Sequence, residues 1–290
     1  MSQAAPSASG HRVVTDRDGV PIVLHEWPVD RPTALVHIVH GVGEHAARYA
    51  PLAAALNAAG YAVVADDHRG HGETGLRSGG LGVLGPGSVA GAMDSVQHVG
   101  ERLVAESGDT PVVLLGHSWG SLMAQKIVAR TPLYDGVALS GTSLAIPGLM
   151  TVGDLNRPWR SADASGLEWL SRSEEARRAF AADPLCFDIA ETPVWTPLQA
   201  LALLGRPPRQ LPRRIPILIQ GGQHDSLGGE RGLRALYTAY RERSGATDIA
   251  IRVYPEARHE IYNELNRDEV VGDLVAWLDG RFARRTAPRA

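Results

Sequence analysis

The chain has 290 residues, a hydrophobic content of 44% and a formal net charge of −3, which is length and apolar material for one large domain with a sizeable core. The weak negative balance argues against nucleic acid as the main partner. A single cysteine, Cys186, excludes an internal disulfide and fits a reducing compartment. No apolar run approaches the ~18 residues that a membrane span needs, so no transmembrane segment is expected. The opening MSQAAPSASG has neither the basic nor the apolar region of a secretory signal and reads as disordered, while the final RRTAPRA reads as a solvated tail. A cytoplasmic protein is the expectation.

In chain order, residues 20–27 read as a first strand and 34–40 (ALVHIVH) as a buried one. The second runs into His40-Gly41-Val42-Gly43-Glu44-His45 and then a helix over 46–59, with Glu44 and Arg48 spaced to pair. A strand over 61–65 precedes Asp66-Asp67-His68-Arg69-Gly70-His71-Gly72, a glycine-rich loop over 78–87 and a helix over 89–106. Residues 111–130, PVVLLGHSWGSLMAQKIVAR, read as strand, sharp turn and helix with Ser118 at the apex. In a chain with 32 glycines the Gly-x-Ser-x-Gly pattern alone says little. The strand before it and the helix after it make it a nucleophile elbow. A strand over 135–140 follows.

From 142 to 214 no strand is expected. Ser165…Glu168 and Thr196…Gln199 have the spacing of capping boxes and predict short helices. The alternation then resumes with a strand over 215–220, a helix over 230–243, a strand over 248–254 and a helix over 268–282. Such alternation implies a mostly parallel sheet with helices on both faces. The interruption reads as a helical lid insert over the edge where open α/β sheets bind ligands. The expected division is a core over 11–141, the insert over 142–214 and the rest of the core over 215–283.

A serine hydroxyl needs a base to take its proton, and the base needs an acid to orient it. Downstream of Ser118, Asp225 lies in the turn after one apolar strand and His259 in the exit loop after the next. His224 is a competing base, weakened by its adjacency to the acid. An oxyanion formed at Ser118 needs two preorganised donors. One is the backbone N–H of Trp119, and the other is expected from Val42 in the glycine-flanked turn after the early buried strand.

Together the segments HGVGEHAARY, ADDHRGHGETG, GHSWG, GGQHD and ARHEIYNE, in this order, resemble the monoacylglycerol lipase and lysophospholipase branch of the α/β-hydrolase superfamily. The resemblance implies an α/β-hydrolase fold, a Ser118–Asp225–His259 triad, an oxyanion hole from the Val42 and Trp119 amides, and an ester hydrolase without a cofactor. It also implies a small, lipid-like ester as substrate, of monoacylglycerol or lysophospholipid type, with transient membrane-surface contact through the lid.

The alternatives are a short-chain carboxylesterase, an amidase or peptidase on the same fold, and a non-catalytic ligand-binding protein. An aminopeptidase lid should be acidic to hold the substrate ammonium, yet 142–211 carries eight acids and seven arginines. His68 and His71 suggest a metal, but two histidines in a glycine-rich loop make a poor hydrolytic zinc site, so no metal is expected. Cys186 reads as a packed lid thiol. The lid tryptophans (Trp159, Trp169, Trp195) and the apolar runs 144–150 and 198–204 suggest either a small core of the lid itself or a channel for an acyl chain.

Overall fold

The computed structural model describes residues 10–151 and 153–283. The opening stretch up to residue 9, read as disordered, and the basic tail from 284 lie outside them. Eight strands form one sheet in the order β1-β2-β4-β3-β5-β6-β7-β8. They are β1 (Gly10–Thr15), β2 (Pro21–Trp27), β3 (Leu35–Val39), β4 (Ala62–Asp66), β5 (Val112–His117), β6 (Gly136–Ser140), β7 (Ile217–Gly222) and β8 (Ile249–Tyr254). From β4 onward in the sheet all pairs are parallel, while β1–β2 and β2–β4 are antiparallel. The sheet is therefore mostly parallel, as expected, and the antiparallel edge strand β1 is an addition.

The main helices are α1 (Ala50–Ala58), α2 (Gly72–Arg77), α3 (Ser88–Ser107), α4 (Trp119–Arg130), α5 (Glu174–Ala182), α6 (Pro197–Ala200), α7 (Gly229–Thr238) and α8 (Arg267–Phe282). Strands that are buried on both faces read as unbroken apolar runs. In β5, Val112 and Leu114 join the core under α3, α4 and α7, while Val113 and Leu115 join the core under α1 and α8. The period of two thus divides one run between two cores.

Between β6 and β7 the described residues hold only short helices, as the sequence suggests. Thr196 and Gln199 form a full capping box at the start of α6. Ser165 and Glu168 do not start a helix. Glu168 accepts the Ser165 N–H at 2.7 Å and the Gly166 N–H at 3.1 Å, and a single turn follows. Gly166, at φ +85°, occupies the left-handed region where the first helical residue would have to be right-handed. The helix of this stretch is α5, capped by Ser173, whose Oγ accepts the Ala176 N–H.

Candidate active site

Parallel strands β5, β7 and β8 deliver their exit loops to one edge of the sheet, so the sequence-predicted residues converge there. Ser118 sits between β5 and α4 at φ 53°, ψ −121°, a strained conformation for a side chain that is not glycine. The strain is held by packing. The Ser118 N–H donates to Ser140 O at 2.9 Å, and Ser118 O accepts from the Ser121 N–H and hydroxyl. Gly120 admits the close approach of α4 to β3, because a Cβ there would lie 2.0 Å from Val39 O. Trp119 is the first residue of α4, so its N–H has no acceptor inside the helix.

His259 and Asp225 are both buried. His259 Nδ1 lies 3.0 Å from each Asp225 carboxylate oxygen, and Asp225 Oδ1 also accepts the Leu227 N–H at 2.9 Å. Burial alone would disfavour the imidazolium, but the Asp225 carboxylate outweighs it and holds the His259 pKa above the ordinary imidazole value. His259 Nε2 is buried and makes no hydrogen bond to another described residue. It borders the same cavity as Ser118, Gly41 and Val42. His224, the competing base, is exposed, and its backbone N–H donates to Ala257 O.

Three features of this edge go beyond the sequence reading, which offers Trp169 only as a lid tryptophan and Glu44 only as spaced to pair with Arg48. His117 is buried, holds Ser140 Oγ through Nδ1 at 2.9 Å and packs 4.9 Å from the His259 ring. Burial, with the charge of His259 beside it, pushes its pKa down to about 3. Trp169 packs against the His259 ring at 4.9 Å, and its carbonyl accepts the His259 N–H. The third is a buried strut. Glu44 accepts the Gly41 N–H at 2.6 Å and the Tyr49 hydroxyl at 2.9 Å, and pairs with Arg48. Arg48 also grips Glu260 with two bonds of 2.8 and 2.7 Å. The turn carrying Val42 and the loop carrying His259 are thereby tied through one cation. Burial holds the Glu44 pKa up, whereas Arg48 outweighs burial at Glu260 and draws it down to about 2.

Arg48→Ala would leave the two carboxylates buried without their cation. Breaking a buried pair in this way costs about 3–5 kcal/mol. Urea unfolding should show a loss of that size, and a loss below about 1 kcal/mol would rule the strut out as a stabilising element.

His68 and His71 are committed within the fold. His68 pairs with Asp66 at 2.7 Å and stacks on His40 at 3.8 Å, while His71 Nδ1 bonds Arg69 O. They brace the floor beneath the 40–45 turn. The Trp119 side chain is buried against His71 and Trp195, so it belongs to the core rather than to the cavity wall. The apolar runs also differ from expectation. Leu144 and Ala145 are buried in the core, and Leu198 and Leu201 face solvent. The apolar cavity wall comes instead from Leu167, Trp169, Leu170, Phe180, Phe187 and Ile189.

The sequence over residues 30–266 matches the family described as serine aminopeptidase, S33. The monoacylglycerol lipase of Mycolicibacterium smegmatis is 31% identical over 278 residues, covering 90% of this chain and 93% of that one. The monoglyceride lipase of Homo sapiens is 30% identical over 284 residues, covering 93% and 90%. A thermostable carboxyl esterase from Bacillus coagulans, solved in complex with glycerol, shares the fold at a TM-score of 0.78 and 23% identity over 95% of this chain and 99% of that one. With the family matched over most of its length on an α/β-hydrolase sheet, the chain belongs to the serine aminopeptidase family of α/β-hydrolases and is a carboxylic ester hydrolase.

Proposed function

We propose that Ser118 is the nucleophile, His259 the general base, Asp225 the acid that orients it, and the Val42 and Trp119 amides the oxyanion hole. The observation that carries this reading is His259 itself. One ring nitrogen is held by Asp225, and the other is buried, unpartnered and beside Ser118 in one cavity. Catalytic hydrogen bonds are often long in the free enzyme and tighten only in the substrate complex, so an unpartnered Nε2 fits the role of base. Ser118 attacks the ester carbonyl as His259 takes its proton. The two amides stabilise the oxyanion, and His259 returns the proton to the leaving alcohol. Water then releases the acid by the same route.

The substrate we infer is a single acyl chain on a small polar head group, of monoacylglycerol or lysophospholipid type. The apolar wall above Ser118 supports this, together with the relatives named as monoacylglycerol and monoglyceride lipases. The insert over 142–214 acts as a lid. The cavity over Ser118 is about 50 Å³, well below the roughly 150 Å³ that holds a benzene-sized apolar ligand, and we infer that the insert moves to admit an acyl chain. A peptidase reading gains little from the cavity, because its buried carboxylates Glu44 and Glu260 are both already paired with Arg48.

Each methylene that leaves water contributes about 0.8 kcal/mol, close to fourfold in kcat/KM. In a chain-length series run below the critical micelle concentration, kcat/KM should climb about fifteenfold per pair of carbons from acetyl upward, then level off. Triacylglycerols should be poor substrates. A flat profile or a maximum at acetyl would move the short-chain esterase ahead, and faster turnover of aminoacyl anilides than of esters would move the peptidase ahead.

A further inference from the structure

A second group of chemistry-bearing side chains lies at the β1 edge of the sheet. β1 and β2 pair antiparallel with His11 directly opposite His25, so both side chains stand on the same face. Their rings meet edge to face, 4.3 Å between centroids. Over them α2 brings Glu73, whose Oε1 lies 3.5 Å from His11 Nδ1. One donor atom from each of the three residues lies within 4.8 Å of the other two.

A buried carboxylate holds this group in place. Asp67 Oδ2 accepts the Glu73 N–H at 2.8 Å, which fixes the start of α2. Gly72 permits the approach, since a Cβ there would fall 2.3 Å from the Asp67 carboxyl. The same Oδ2 lies 3.3 Å from His25 Nε2. A carboxylate that accepts a hydrogen bond from Nε2–H leaves Nδ1 with its lone pair free, and this is how histidine ligands are commonly oriented and made more basic. The Asp67 Oδ1 accepts the Ala46 N–H at 2.9 Å, just beyond the 40–45 turn. One neighbour competes for the group: Arg77 donates to Glu73 Oε2 at 3.1 Å. Its side chain is half-exposed, so that pair is weak, and Oε1 is left to a ligand.

We propose that His11, His25 and Glu73 form a binding site for a divalent cation of the zinc type, with water completing the shell and Asp67 orienting His25. Two imidazoles and one carboxylate suit zinc, and they supply too few oxygens for calcium or magnesium. The ion fastens the edge strand β1 to α2 and, through Asp67, to the helical turn that follows the Val42 loop.

The test is a calorimetric titration of the untagged full chain with zinc, repeated with cobalt and followed by absorption. His11 and Glu73 are partly exposed, so His11→Asn and Glu73→Gln should fold, which circular dichroism checks. Among the described residues one other trio has ligand spacing, His45, Asp183 and Cys186, and Cys186→Ser separates it. The expected result is one ion per chain, visible cobalt bands with no thiolate charge-transfer band, affinity weakened at least about tenfold in both His11→Asn and Glu73→Gln, and unchanged binding in Cys186→Ser. No binding at all, binding unchanged in His11→Asn or Glu73→Gln, or binding lost in Cys186→Ser overturns the proposal.

Discussion

Replacing Ser118 with alanine should lower kcat/KM toward monoacyl esters by several orders of magnitude while leaving the fold intact. The hydroxyl is the only group that this substitution removes, and the elbow is held by backbone bonds from Ser118 N and O rather than by Oγ. An alanine meets the same positive φ that the serine already bears, so no new strain is introduced. Removal of a triad member commonly leaves residual catalysis of ~10³–10⁴ over water from the oxyanion hole and binding, so the loss should be deep but not total. A fluorophosphonate should form one adduct per chain, on the peptide containing Ser118, and mass spectrometry locates it. Adducts elsewhere, or near-normal turnover by Ser118→Ala, would remove Ser118 from the mechanism.

The strands and helices around Ser118 were legible because each carries its own local signal. β5 is an apolar run into Gly116, α4 has apolar residues at helical spacing, and both fit only as strand, turn and helix. β1 was not legible. Its sequence, GHRVVT, buries little beyond Val14, and it exists through its pairing with β2 rather than through its own pattern. The Ser165 capping pattern misled because Gly166 takes a positive φ that a composition reading does not register.

Within the candidate site, the residues with recognisable spacing could be named from the sequence, and those defined by distant partners could not. Glu260 matters because Arg48 reaches it across 212 positions. Nothing in the ARHEIYNE segment announces that partner, although its place next to His259 was a usable hint. The choice between His224 and His259 likewise turns on exposure, which appears only once the loops are folded. Short apolar runs such as 144–150 and 198–204 do not reveal which of their residues will be buried: Leu144 and Ala145 enter the core, whereas Leu198 and Leu201 face solvent.

Asp225→Asn should depress kcat by about 10⁴, with KM nearly unchanged, because it removes support for the imidazolium that forms only as Ser118 is deprotonated. The pH profile separates this role from mere packing. As the proposed base, His259 must be neutral to accept the proton, so activity should fall as pH drops through its pKa. Asp225 holds that pKa above the ordinary imidazole value, which puts the acid limb above about pH 6.5. His117 does not contribute to the limb, since burial keeps it neutral down to about pH 3. In the Asn variant the carboxylate is gone and burial prevails. The imidazolium is then disfavoured, and the residual activity should show its acid limb at lower pH than the native enzyme. His224→Ala, at an exposed position, should leave both rate and limb nearly unaltered. A rise in KM with kcat preserved, or an acid limb that stays in place when Asp225 is neutralised, would mean that Asp225 positions the loop without acting on the His259 proton. A collapse of turnover in His224→Ala would transfer the base to that residue.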